Sequence, residues 1–455
     1  MYKKAVSIIL LSVLVLSIIL TSCSGGNNSG TTGTNENNTS TQTNGSTEQN
    51  GASGEKVTIK LMHRFPDEPF QGFIDKVCQQ YESAHPDVTI KQTSAATDPY
   101  KEKLTVMLSS GTDAPDVFFG FSGEYLNQFV REGKILDLTP YWEKDKVWAD
   151  SYMPQLVQPF FTDNKLYGVP YRVSVKMFFY NKKIFQDLNI STPQTWDELL
   201  TVCEKLKDAG YIPIGEGTAD QWPATHYLAI LNARCVPADV LKKDYDPKSG
   251  EWTDPGYMQA LDLFKQLVQY MSPHVTGQKH DMGRQQFVMG QAAMMFAESV
   301  EIPFIDQEMD PSNPIDYGMF AFPTIPNAKG DQNAILGAPE GFSVYAGTKN
   351  PDVAVDFLKY LCGQEVGKQE VKEIKWFNAC KDTVDPATSD AKLVDCYNVM
   401  VNAKSVVNWM DNEIHALIRT VYYEDTATYM NGTMTAQQFM DKIRAAAQKA
   451  KQTVQ

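Results

Sequence analysis

The sequence predicts an α/β fold built as two lobes, and three observations lead there. First, apolar runs of strand length alternate with stretches of helical spacing, and this rhythm begins twice. "VTIKLMH" (57–63) reads as a strand, and Phe70, Phe73, Ile74, Val77, Cys78 and Tyr81 mark a helix that must stop near Pro86. "DVTIK" follows as a second strand, and "DPYKEKLTVMLSSG" as a helix closed by Gly111. Second, "PDVFFGF" (115–121) is a continuous apolar run, the mark of a strand covered on both faces in a mainly parallel sheet. Third, "LYGVPYRVSVKMFFYN" carries strands that restart the pattern after the short strand "ILDL".

The second half is punctuated as clearly. In "TPQTWDELLTVCEKLKDAG", Thr195 and Glu198 form a capping box and Gly210 ends the helix. "YIPIG" is a strand, "YMQALDLFKQLVQYM" a helix and "QAAMMFA" a strand. "NPDVAVDFLKYLCG" and "TMTAQQFMDKIRAAAQKA" are again capped helices. No eightfold strand–helix repeat is visible, which disfavours a closed α/β barrel.

The first 56 residues read differently. Lys3 and Lys4 precede an uncharged run from Ala5 to Leu20, and Leu20-Thr21-Ser22 leads into Cys23. This is a signal peptide (residues 1–22), too short in its apolar part for a stable membrane span. The Leu and small residues before Cys23 resemble a bacterial lipobox, so Cys23 is the expected lipidation site, acylated and new N-terminus. From Ser24 to Glu55 the chain is nearly all Ser, Thr, Gly, Asn and Gln. Such a segment cannot bury enough apolar surface to offset its ordering entropy. Residues 23–56 are therefore expected to be an anchor and a tether reaching about 30 Å.

About 400 residues remain, enough for two domains with their own cores. Losing Lys3 and Lys4 leaves 39 basic against 55 acidic side chains, which argues against nucleic acid as a partner. Six cysteines remain beyond Cys23, with no Cys-x-x-Cys pair and no metal-ligand spacing among the six histidines. No metal and no cofactor is expected, and pairing of the cysteines stays open. Cys78, Cys203 and Cys362 sit on apolar helix stripes, where thiols act as small buried hydrophobes.

Motifs of catalysis fail. Gly120-Phe121-Ser122-Gly123 lacks the spacing of a nucleophile elbow, and no phosphate-binding loop is present. No catalytic residue is assigned. Aromatic residues beside carboxylates do stand out, in "GTADQWPATHY", "GAPEGF", "IKWFN" and "NWMDNE", all read as loops. An aromatic face suits the C–H side of a pyranose, while carboxylates and arginine bind its hydroxyls. Trp222 has no apolar periodicity around it and is the leading candidate; Trp196 and Trp252 look structural.

Seven motifs in order carry a family resemblance: "FIDKVCQQYESAHPDVTIK", "YKEKLTVMLSSGTDAPDVFFGF", "GKILDLTPY", "LYGVPYRVSVKMFFYNKKIF", "TPQTWDELLTVCEKLKDAG", "FVMGQAAMMFA" and "GFSVYAGTKNPDVAVDFLKYLCG". The chain from 57 to 450 resembles the family 1 extracellular solute-binding proteins, the lipid-anchored sugar receptors of bacterial ABC importers. The resemblance implies a periplasmic-binding-protein-like fold with the ligand cleft between two lobes. Lobe 1 would comprise 57–171 plus 322–376 and lobe 2 would comprise 172–321 plus 377–455. It further implies a carbohydrate ligand, permease subunits in the membrane as partners, a monomer, and a place on the outer face of the cytoplasmic membrane. The expected ligand-binding residues are Trp222 and Trp409 as stacking platforms, with Glu340, Asp411, Ser122, Arg172, Glu124 and Ser174 as polar contacts. Two departures bear on the ligand. Where maltose-type members place Trp, Asp and Arg after the "PDV" strand, this chain has Gly120, Gly123 and Glu124. Where many have Gly-x-Trp after "AAM", it has "FAESVEI". A polyamine, peptide or iron ligand, or a carbohydrate-active enzyme, are the alternatives; Tyr422-Tyr423 is the feature behind iron.

Overall fold

A computed structural model describes residues 56–454. The signal peptide, Cys23 and the tether lie outside the described residues. Among the described residues eleven strands form in chain order: β1 (Val57–His63), β2 (Val88–Ser94), β3 (Val117–Phe121), β4 (Phe161–Thr162), β5 (Lys165–Leu166), β6 (Val169–Asn181), β7 (Ile212–Ile214), β8 (Ala292–Glu298), β9 (Tyr317–Phe320), β10 (Ile335–Val344) and β11 (Val406–Val407). Apart from the β4–β5 hairpin they share one sheet, ordered β2-β1-β3-β10-β6-β8-β7, with β11 beside β10 and β9 beside β6.

The fold is α/β and two-lobed, with a mixed rather than mainly parallel sheet. The parallel pairs are β1 with β2 and β3, β7 with β8, and β10 with β11. Between these blocks, β10 runs antiparallel to both β3 and β6, and β6 antiparallel to β8 and β9. The two central strands, β6 and β10, are the long ones.

"GAPEGF" is thus strand, not loop. Its Pro and Gly are turn signals by composition, yet Pro339 pairs with Val173 and Gly341 with Pro170 across β6. The register shifts between Glu340 and Gly341, a bulge at which Tyr171 is passed over. Proline in a central strand is tolerated at such an irregularity, where an N–H would have no ladder partner. Glycine at 341 is required by close approach, because a Cβ there would lie 2.0 Å from the Val169 carbonyl oxygen. "ILDL" forms no strand; Ile135 makes only an isolated bridge to Tyr345.

Most helices follow the sequence signals. The helix Trp196–Asp208 begins with the Thr195/Glu198 capping box and ends before Gly210, whose φ is +87°. The helix Thr97–Ser110 stops at Gly111 in the left-handed conformation. The exception is Trp222–Cys235, where "WPATHY" had been expected as loop. Every residue from Pro223 to Cys235 is buried, so the helix has no polar face and no amphipathic period to reveal it.

Two apolar clusters hold these layers. One gathers β1, β3 and their helices around Phe118, Phe119 and Tyr81, then continues along one face of β6 and β8 through Met177, Phe179 and Met295. The other takes the opposite face through Phe178, Met294 and Phe296 and packs the helices around Tyr227, Trp252 and Phe439. Alternation of side chains along β6 and β8 feeds both. Phe322 and Ile325, assigned to lobe 1 by the sequence division, pack in the second cluster with Leu336 and Ala338. Leu393, Cys396 and Met400, assigned to lobe 2, pack in the first. Cys78, Cys203 and Cys362 are buried, and all six cysteines described are free thiols.

Candidate functional site

Strand ends build the site. The chain leaving β1 (Arg64 to Phe70), the start of the helix Thr97–Ser110 and Phe121 at the end of β3 form one wall of a cleft of about 870 Å³. The segment Glu298 to Phe304 leaving β8, the start of the helix Trp222–Cys235 and the helix His280–Val288 form the other. Ligands of open α/β sheets gather at such carboxyl ends. The volume is in the upper part of the range for small-molecule sites.

Arg172 of β6 and Glu340 of β10 form the floor and are cross-strand partners. Arg172 donates from Nε to Glu340 Oε2 (2.7 Å), its Nη2 lies 2.6 Å from that oxygen, and Arg64 Nη2 lies 3.4 Å from it. Both partners are about 97% buried. Burial disfavours the charged carboxylate, but the two guanidiniums outweigh it and hold Glu340 below its ordinary pKa.

Aromatic rings interleave with these charges. Trp376, from "IKWFN", stacks on Phe70 at 4.0 Å and 11°, with the Arg172 guanidinium 4.8 Å from its centroid. Trp222 and His226 are four apart on one helix, with ring centroids 5.0 Å apart. His226 in turn stacks on Trp409 at 4.5 Å and 16°. Trp222 is half-buried, whereas Trp409 is 2% exposed and gives one face to His226. Gln221, just before Trp222, holds φ +65°, a strained backbone for a residue with a side chain and of the kind that collects at functional sites.

Two chains of buried ions run along the walls. In the first, Lys101 Nζ donates to Asp411 Oδ2 (3.1 Å) and Asn412 Oδ1 (2.9 Å), and the Tyr423 hydroxyl donates to the same Asp411 oxygen (2.9 Å). Asp411 Oδ1 has no hydrogen-bond partner among the described residues. Burial opposes ionisation of Asp411, but Lys101 and His226 outweigh it and keep the carboxylate well below its usual range. Lys176 Nζ lies 3.1 Å from His226 Nδ1 and 4.9 Å from the Trp222 centroid. In the second chain, Glu216 Oε1 pairs with His280 Nδ1 at 2.8 Å, and Arg284 bridges Glu301 and Glu308 at 2.7 Å each. His280 Nε2 is buried without a partner, 3.7 Å from Glu301. No described group of three His, Cys, Asp or Glu residues is arranged to hold a metal ion.

Of the eight expected contacts, the structure brings Trp222, Trp409, Glu340, Asp411 and Arg172 to the cleft. The other three are turned to protein partners. Ser122 donates to the Pro339 carbonyl and accepts from Asn408, Glu124 pairs with Arg131, and Ser174 lies 3.4 Å from Ser299. Sequence reading missed Arg64, Lys101, His226, His280 and Trp376. His226 and Trp376 stand inside stretches marked for their aromatics; Arg64 and Lys101 carry no local signal, being placed by the ends of β1 and a helix.

With this geometry the relatives can be read. Residues 67–368 match the family described as bacterial extracellular solute-binding protein, and the chain belongs to it. It is 23% identical over 391 residues to an uncharacterized ABC transporter extracellular-binding protein of Pyrococcus horikoshii, covering 84% of this chain and 80% of that one. It is 23% identical over 315 residues to the multiple sugar-binding protein of Streptococcus mutans, covering 68% and 71%. Among solved structures, a chitin oligosaccharide binding protein superposes with a TM-score of 0.79 at 25% identity, over 87% of this chain and all of that one.

The second ion chain makes a pH prediction. Burial lowers the pKa of His280, but Glu216 and Glu301 raise it more, to about 9 against an ordinary 6.5. A group raised in the folded state contributes stability that is full below pH 6.5 and lost as pH rises towards about 9. The unfolding midpoint should therefore fall across that window, by a free energy of about 3 kcal/mol at most. In His280→Gln the midpoint should be lower at pH 6.5 and flatter towards pH 9; an unchanged slope would contradict the assignment.

Proposed function

We propose that the protein is the solute-capturing component of an ABC importer and that its ligand is a sugar or oligosaccharide. The observation that carries this is the mixed lining of the cleft. The half-buried indole of Trp222 stands beside carboxylates, Asp220 and Glu298, that no described lysine or arginine pairs. Flat apolar surface next to preoriented acceptors and donors is what a ring of C–H faces and hydroxyl edges needs. The sugar-binding relatives and the family support the same reading. The lobes follow 57–171 plus 322–376 and 172–321 plus 377–455, except that the stretch from Phe322 to Ala338 packs with lobe 2 and Leu393 to Met400 with lobe 1, and the chain acts as a monomer.

Ligand touching both walls binds a closed arrangement better than an open one, and shifts the equilibrium by that difference. The protein performs no chemistry on the sugar; the permease and its ATPases supply the work. Trp222→Ala should weaken cognate sugar about tenfold in calorimetry, the worth of one stacked ring. Product analysis should return the sugar intact. Undiminished affinity would remove Trp222 from the site, and cleaved sugar would move the protein to the enzymes.

The anchor belongs to the same reading. Cys23 is lipidated and holds the receptor at the outer membrane face, with the tether keeping its local concentration high and its orientation free. Cys23→Ala should release the protein into the medium or leave the precursor unprocessed. Equal membrane retention of the variant, with the same electrophoretic mobility, would refute the anchor.

A further inference from the structure

The cleft carries far more acid than its ion pairs use. Ten Asp or Glu residues line it against five Lys or Arg. Four of those five cations are spent on pairs: Arg64 and Arg172 on Glu340, Lys101 on Asp411, and Arg284 on Glu301 and Glu308. The fifth, Lys279, is exposed at the rim and makes no salt bridge among the described residues. Lys176 adds one buried ammonium, turned to His226 and Trp222, and His280, its pKa raised to about 9, adds a second buried cation beside Glu216 and Glu301. Asp98, Asp220 and Glu298 have no Lys or Arg within salt-bridge distance among the described residues.

Position makes this surplus specific. Asp98 stands at the start of the helix Thr97–Ser110 on one wall, and Asp220 immediately before the helix Trp222–Cys235 on the other. Asp220 Oδ2 accepts only a neutral backbone N–H, from His280 at 3.0 Å. Glu298 lines the same cleft, about nine-tenths buried, with His226 Nδ1 3.9 Å from its Oε1, whereas Asp411 Oδ1 is sealed from the cleft and faces His226 Nε2 at 3.7 Å. Burial, together with the carboxylates of Asp220 and Asp411, raises the pKa of Asp98 against the opposing pull of Lys101. Like charge at Asp98 and Asp220 thus faces itself across the cleft. A neutral sugar would leave that repulsion in place as the walls approach. A ligand cation would remove it.

Resting on the sugar reading above, we propose that the solute is an amino sugar oligomer whose protonated amine sits between Asp98 and Asp220, over Glu298. An ammonium offers three donors, and each carboxylate of this group has an oxygen not taken by a cation. Trp222, beside Asp220, supplies the ring face for the same sugar unit.

The test is calorimetric titration of the mature chain with three probes at mildly acid pH: a glucosamine oligomer, its N-acetylated counterpart and spermidine. The expected result is that the glucosamine oligomer binds about tenfold or more tightly than the N-acetylated one, the worth of one charge-assisted contact. That lead should shrink as salt rises and in Asp98→Asn or Asp220→Asn. Equal or tighter binding of the N-acetylated oligomer would overturn the ammonium site while leaving the sugar reading intact. Spermidine binding more tightly than either oligomer would overturn the proposal by showing a free polyamine as the solute. Binding of none of the three would also overturn it. Asp98→Asn and Asp220→Asn should keep the far-ultraviolet spectrum of the parent, so that lost affinity reports the site.

Discussion

Everything in this cleft is referenced to one buried contact, the cross-strand pair Arg172–Glu340. It joins β6 to β10, the two long central strands, beside the bulge between Glu340 and Gly341. Two such ions out of water are tolerable only because the geometry is good and further donors satisfy the carboxylate; removing one partner of such a pair costs about 3–5 kcal/mol. Arg64 from the end of β1 shares the same oxygen, and Trp376 and Phe65 lie against the Arg172 guanidinium. One ion pair thereby fixes the relative positions of β1, β6, β10 and the segment carrying Trp376.

From that floor the walls rise as ordered electrostatics. Lys101 and Lys176 are deeply buried, and burial lowers the pKa of each, opposed by the carboxylates around them. Their partners sit on different elements: Asp411 on the short helix Met410–Glu413, His226 on the helix Trp222–Cys235, Glu298 at the end of β8. Side chains held by one another in this way present fixed donors and acceptors, so a ligand loses little to ordering the site. Asp411 oxygen Oδ1 and His280 Nε2 are left over after the internal pairs are made.

The sequence was most legible where local physics decides structure. The strand at 57–63, the capping box at Thr195 and the helix stop at Gly111 were each announced by pattern or cap chemistry. It was least legible where tertiary context overrides local signals. Pro339 and Gly341 look like a turn, but a bulge admits them to a central strand. The helix Trp222–Cys235 is buried all round and therefore has no period to read. The site divided in the same way: residues flagged by aromatic rings beside acids reached the cleft, as Trp222, Trp409 and Asp411 did. Ser122, Glu124 and Ser174 came from the family resemblance alone, and the fold turns them to internal partners. Arg64 and Lys101 depend on which strand ends the topology brings together, a property of the sheet order β2-β1-β3-β10-β6 rather than of any local motif.

The reading as a receptor turns on motion without chemistry. Two lobes joined by a few strands can rock about residues at the crossings, and contact of one solute with both walls would favour the closed arrangement. Small-angle scattering of the mature chain with and without its sugar measures this directly. Hinge closure predicts a smaller radius of gyration with sugar bound and the sugar recovered unchanged. Identical scattering curves at saturating sugar would contradict it.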